Sequence, residues 1–335
     1  MVPALFRVLK LLADEARQAD KASANGRYLL TGSANIMALP KLSDALVGRM
    51  RVLTLYPFSA LEITKGKGGF LSKLIENDFK PGTVRRKTAL VDIIRKATFP
   101  EISDEDDERR RQWFESYITT ILQRDVRQIA DIAKLGVLPN LLKVLAGRAG
   151  GLINDADISR AIGQNAVTAK TYRVLLQMIF LTFDVKPWYR NTGKRLVKSP
   201  KGYIIDTALL CHLQQIDMAK AEIRDPYIFG HVFENFVASE LLKQLASSND
   251  AAELYHFRTS DGKEVDFVLE HPDGRLAAIE VKGRDAVTAS DFKGLKELCR
   301  LTKDDFLCGI VLYRGNKIIS FERNMWAVPV DELWA

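Results

Sequence analysis

The stretch that decides the fold is EVDFVLEHPDGRLAAIEVK, Glu264 to Lys282. It reads as two β-strands joined by a turn. Glu264 to Glu270 alternates charged and apolar residues, His271-Pro272-Asp273-Gly274 supplies turn chemistry, and Leu276 to Lys282 resumes an apolar run. Strand side chains repeat every two residues, so Glu280 and Lys282 face one side, Ile279 and Val281 face the other, and Asp266 shares a side with Glu264. Paired in register, the hairpin brings two carboxylates and an ammonium together. Carboxylate oxygens suit a hard cation such as Mg²⁺, which polarises a phosphoryl group and lowers the pKa of a bound water. On this reading Asp266 and Glu280 hold the metal, and Lys282 orients the attacking water or neutralises charge developing on phosphate. The alternative is a half-buried hairpin whose charges face water.

Upstream, Phe229 to Leu245 has helical spacing, with Phe229, Phe233, Phe236, Val237, Leu241 and Leu245 on the apolar stripe and Glu234 on its flank. Leu254 to Thr259 is a strand candidate. Downstream, Ser290 caps a helix through Leu301, and Phe306 to Leu312 reads as a buried strand. The order is helix, three strands, helix, strand. With Glu on the first helix, Asp on the second strand and Glu-x-Lys on the third, residues 226–322 resemble the PD-(D/E)XK nuclease fold. The resemblance implies that Glu234, Asp266, Glu280 and Lys282 are the active-site positions of a Mg²⁺-dependent DNA phosphodiesterase. Val265 stands where that fold usually has proline before the aspartate. Many domains with this fold bind nucleic acid or protein without cutting.

The chain is long enough for two or three domains, and its composition is that of a globular protein. No apolar run approaches a membrane span and no signal-peptide pattern opens the chain, so a cytoplasmic location is the expectation. Cys211, Cys299 and Cys308 are widely spaced and odd in number, which suggests neither disulfides nor a zinc site. The four histidines show no metal-ligand spacing. A net charge of +7 suits an anionic partner such as DNA.

Residues 1–60 read as part of an α/β unit: a helix from Pro3 to about Gln18, a strand Arg27 to Leu30, the turn Thr31-Gly32-Ser33, a helix near Ala38 to Val47 and a strand Met50 to Leu55. The segments LLTGS, LVGRM and LTLYPFSALEI resemble the end of an AAA-type ATPase core. More narrowly, they resemble a prokaryotic family in which that core precedes a domain of unknown function with a nuclease-like end. The resemblance places Thr31 and Ser33 near the nucleotide phosphates and makes Arg49 a structural or phosphate-facing arginine. No G-x-x-x-x-G-K-[ST] occurs anywhere in the sequence. The chain is therefore expected to begin where the second half of such a core begins and to hydrolyse no ATP alone. Unpaired edges on the two strands imply association, with further copies or with a P-loop ATPase partner.

Residues 61–150 read as mainly helical. Val84 to Lys96 is a helix candidate, and Arg111 to Ile132 is strongly helical, with Arg124 and Asp125 matching an RD pair of the same family. In residues 151–215, helices Asp155 to Ile162 and Val167 to Ile179 precede strands Phe180 to Pro187 and Gly202 to Ile205. That order is a winged helix. Its second helix carries Lys170 and Arg173, and its hairpin carries Arg190, Lys194, Arg195, Lys198 and Lys201, cations able to neutralise phosphates in sequence-blind DNA binding. An interdomain packing module with a solvated basic hairpin is the alternative. The fold class is thus multidomain, α/β and α+β, ending in a nuclease-like domain at 226–335. Three functions stand open: a metal-dependent nuclease, a nucleic-acid-binding component of an ATPase, and a nuclease-like fold kept for protein contacts.

Overall fold

The computed structural model describes residues 3–20, 25–35, 48–85, 89–129, 135–191, 193, 195, 198–248 and 251–335. Among them the strands are β1 (Gly82–Thr83), β2 (Thr182–Pro187), β3 (Lys201–Ile204), β4 (Glu253–Arg258), β5 (Glu264–Glu270), β6 (Leu276–Lys282), β7 (Phe306–Tyr313), β8 (Lys317–Glu322) and β9 (Met325–Pro329). They form one mixed sheet in the order β1-β8-β9-β7-β6-β5-β4-β2-β3.

Strands β5, β6 and β7 occupy its middle and are covered on both faces. Phe267, Ile279, Val281 and Ile310 share a core with Phe229 and Phe233 of the helix Pro226–Ser247. Val268, Ala278 and Val311 pack instead with Leu295 and Leu298 of the helix Lys293–Thr302. Double coverage explains why β6 is a continuous apolar run rather than a clean alternation. The second helix is the crossover that parallel pairing of β6 with β7 requires.

That crossover lies close to the sheet at Gly294, where a Cβ would sit 1.8 Å from the Glu264 carbonyl oxygen. Gly294→Ala is expected to push the helix off β5 at a cost of about 1–3 kcal/mol. Urea denaturation measures this, and an unchanged midpoint would mean that the helix has slack.

The sequence reading and the structure agree on the long helix and differ at its relatives. The Pro226–Ser247 helix starts at an Asp225 cap, whose carboxylate accepts from the Ile228 N–H. Downstream, the cap is Thr288 rather than Ser290. Thr288 and Asp291 form a reciprocal capping box on a 3₁₀ turn, Ala289–Phe292, ahead of the helix. Strands β8 and β9 have no counterpart in the sequence reading. The helix expected from Arg111 to Ile132 runs as α-helix over Asp107–Thr120, widens into a π turn at Ile121–Asp125 and resumes at Val126–Ile129.

Two further expectations are corrected. The β2–β3 hairpin is not a free wing. Lys186 and Pro187 of β2 pair in parallel with Tyr255 and His256 of β4, so the sheet crosses the boundary drawn between residues 215 and 226. At the front of the chain, the helix Pro3–Ala19 forms, but 27–30 and 50–55 are not strands. A segment becomes a strand only when a neighbouring strand pairs with it in register, and among the described residues neither segment is part of the sheet. Leu29, Leu53 and Leu55 are left 89%, 73% and 98% exposed. The helix expected near Ala38 to Val47 lies outside the described residues. No helix among the described residues is long and apolar enough to cross a membrane.

Candidate functional site

The site begins with an irregularity in β5. Tyr255 and Phe257, two apart on β4, pair with Val268 and Val265, three apart on β5, so β5 carries one extra residue at the level of Asp266 and Phe267. Such a bulge re-aims a side chain and interrupts the ladder. The pairing of β5 with β6 accordingly stops at Phe267 and Ile279. In the opening, the Val281 N–H donates to Asp266 Oδ2 at 2.9 Å, a carboxylate standing in for a strand carbonyl.

The other Asp266 oxygen, Oδ1, accepts from the Lys201 ammonium at 3.0 Å, and the same ammonium donates to Glu234 Oε1 at 2.9 Å. The Tyr203 hydroxyl also donates to Glu234 Oε1, at 2.9 Å. Lys201 reaches this point because its backbone is held on two sides. It pairs with Val185 of β2 and bridges to Leu152. The adjoining Gly202 exchanges hydrogen bonds with Gly150 and Gly151. Gly150, at φ +74°, lies where a Cβ would come within 3.0 Å of Glu234 Oε1, so the absence of a side chain leaves room for the carboxylate.

Glu280 and Lys282 belong to a separate pair. Ile279 and Val281 enter the core under the Pro226–Ser247 helix, and alternation turns Glu280 and Lys282 to the opposite face, that of the crossover helix. There Lys282 Nζ lies 2.6 Å from Glu280 Oε1, while Glu280 Oε2 is buried without a hydrogen-bond partner among the described residues. The four side chains expected to share one cation-sized pocket are bonded as two pairs, and the Asp266 charge acts on Glu280 and Lys282 as well. Glu234 and Asp266 meet on Lys201, and Glu280 meets Lys282.

Burial, with the Asp266 charge second, pushes the Glu280 carboxyl up to about 8 and that of Glu234 up to about 7, against the pull of the two lysines. A protonated Glu280 loses less from its unpartnered oxygen than a carboxylate would. A carboxyl whose folded pKa is raised adds stability that is complete below its unfolded pKa and is lost as pH rises through the folded one. The stability of the wild type relative to Glu280→Gln should accordingly fall as pH climbs from about 4.5 to about 8. His256, driven down to about 4 by burial and then by Lys201, works in the opposite sense, but it is common to both proteins. Melting temperatures of the pair across this window test the shift, and a constant difference would refute it.

The remaining predicted residues are scattered. Lys170 and Lys198 are exposed, and Arg190 is exposed but sits 2.9 Å from Asp305. Lys194 lies outside the described residues. Two expected phosphate contacts are corrected. Arg173 is buried between Asp155 at 3.1 Å and Asp184 at 2.7 Å. Arg195 forks onto the Glu270 carboxylate and stacks over the Tyr255 ring at 4.8 Å. A planar guanidinium that finds a carboxylate within its own fold is no longer available to phosphate. Thr31 and Ser33 are exposed on an extended segment, and Arg49 grips Asp14 through two hydrogen bonds of 2.6 and 3.0 Å.

Sequence reasoning missed Lys201 and Tyr203 as residues of this site and counted Lys201 among the hairpin cations able to neutralise phosphates. The available signal was its place at the start of a strand ending in the apolar run Tyr203 to Ile205. The place between Glu234 and Asp266 holds an ammonium, and among the described residues no three His, Cys, Asp or Glu side chains are arranged around a metal position.

Comparison with known proteins divides the chain into three matches. Residues 1–64 match the family model of an AAA domain, 87–220 a domain of unknown function (DUF8612), and 229–333 another domain of unknown function (DUF4143). Uncharacterized proteins of Mycobacterium bovis and Mycobacterium tuberculosis are each 27% identical over 336 residues, covering 99% of this chain and 67% of theirs. An uncharacterized protein of Haemophilus influenzae is 25% identical over 264 residues, covering 76% of this chain and 58% of its own length. Thus the chain spans about two thirds of the mycobacterial relatives' length. A solved assembly of Thermococcus gammatolerans McrB AAA+ hexamers with bound McrC aligns over 81% of this chain and 68% of that one. Its TM-score of 0.25 and identity of 10% are too slight to place the fold.

Proposed function

We propose that the chain is a non-cutting subunit, in which a PD-(D/E)XK-like C-terminal fold and an AAA-type front segment make protein contacts with a P-loop ATPase partner. The observation that carries this reading is the Lys201 ammonium seated between Glu234 and Asp266, its side chain 6% exposed. Metal-assisted hydrolysis needs a cation with open positions for a phosphate oxygen and a water. An ammonium gives its protons to the acids and offers no such positions. Lys282, the candidate catalytic cation, is tied to Glu280.

Protein contact is favoured over DNA because Arg173 and Arg195, two of the basic residues expected on phosphate, are paired inside the fold. An ATPase partner is favoured by the AAA-domain match at 1–64 and by the exposed Leu29, Leu53 and Leu55. The helix order of 151–215, with its hairpin in the main sheet, supports a winged helix used for packing.

DNA incubated with excess purified chain and Mg²⁺ or Mn²⁺ is expected to stay intact. Cleavage that requires the ion and disappears in Lys282→Ala overturns this reading and restores the phosphodiesterase.

A further inference from the structure

We propose that the Lys201 ammonium is a tethered substitute for a divalent cation, so that the Glu234–Asp266 cluster excludes metal as it stands and binds one once the ammonium is removed. The inference deepens the non-cutting reading above and rests on it.

A buried carboxylate beside a half-buried one, Asp266 beside Glu234, is stabilised by a positive charge between them. Here a side chain of the same polypeptide supplies it, with Lys201 Nζ at 2.9 Å from Glu234 Oε1 and 3.0 Å from Asp266 Oδ1. The placement is not a chance folding-in of a surface lysine. The pairing of Lys201 with Val185, its bridge to Leu152 and the Gly150 and Gly151 bonds to Gly202 set the backbone from both sides. The acids are positioned independently of the lysine as well. Val281 N–H holds Asp266 Oδ2, Tyr203 holds Glu234, and Gly150 leaves Glu234 its space.

Removing the ammonium therefore leaves two pre-oriented carboxylate oxygens and a phenol around vacated volume. Mg²⁺ and Mn²⁺ are commonly held by one or two carboxylates with waters completing the shell, so this donor set suffices. The same contacts explain why the wild type does not need a metal. Its ammonium already neutralises the pair, and a divalent ion entering beside it would meet like charge.

The test uses Mn²⁺ alone as probe, read by the loss of its free electron-paramagnetic-resonance signal and by melting temperature. Wild type should show neither uptake nor a thermal shift. Lys201→Ala should take up one Mn²⁺ roughly tenfold or more tighter than wild type and melt higher in its presence. Adding Asp266→Asn should abolish both effects. Should Lys201→Ala not fold, Lys201→Gln, which keeps the stem and offers a neutral oxygen, is read by the same criteria. Uptake by the wild type that Asp266→Asn removes, or a folded Lys201 variant that takes up none, overturns the proposal. Metal uptake is scored apart from DNA cleavage, so either idea can fail while the other stands.

Discussion

Lys201→Ala, measured without metal at about pH 8, is expected to lower the folding free energy by about 3–5 kcal/mol, the range for breaking a buried ion pair by removing one partner. Buried Asp266 and half-buried Glu234 would then face each other with the Tyr203 hydroxyl and the Val281 N–H as donors. Glu234 has the easier escape. Its carboxyl already sits at about 7, and without the ammonium it takes up a proton sooner. The loss should therefore shrink at about pH 5.5, where that proton is supplied by the solvent. Urea unfolding at the two pH values, with unchanged m-values, measures it. A cost below about 1 kcal/mol at the higher pH would show that the ammonium is a surface-like pair of little consequence.

Asp206→Ala should be nearly as damaging, for a reason unrelated to the candidate site. Asp206 is fully buried, and its carboxylate accepts the Leu209 N–H at 2.6 Å as the cap of the helix Thr207–Gln214. It also accepts the Thr98 N–H at 2.8 Å and the Thr98 hydroxyl. Thr98 in turn accepts from Phe58 N–H, and Lys243 joins the Phe58 carbonyl to the Thr98 hydroxyl. Through this chain of bonds Phe58 and Thr98 are moored to the long helix that carries Glu234. Alanine leaves three donors without their acceptor, each costing about 1–3 kcal/mol if it stays unsatisfied. Partial relaxation brings the expected total to about 3–5 kcal/mol. Asp206→Asn, which keeps an acceptor oxygen, should lose distinctly less. Amide exchange at Thr98 and Leu209 should accelerate in the alanine variant, and protection as in the wild type would rule out the mooring.

Local chemistry carried much of the reading. The apolar spacing from Phe229 to Leu245 places a helix, and Pro272-Asp273-Gly274 places a turn between β5 and β6, because helical period and turn propensity are properties of a few consecutive residues. The same alternation correctly opposed Glu280 and Lys282 to Ile279 and Val281. It missed the bulge beside Asp266, since a bulge is set by how β5 meets β4 and leaves no mark in β5 alone. It failed again at residues 27–30 and 50–55, whose strand-like composition needs a neighbour to become a strand.

The amino-acid order by itself determined the helix, the hairpin, the turn chemistry and the presence of three acids and a lysine at nuclease-like positions. Only the tertiary structure decided their meaning, by bringing Lys201 to Asp266 across 65 residues and by turning Arg173 and Arg195 inward. The physical reason is range. Backbone periodicity is written in neighbours a few positions apart, whereas the identity of the charge that neutralises a buried acid depends on which distant strand the sheet sets beside it.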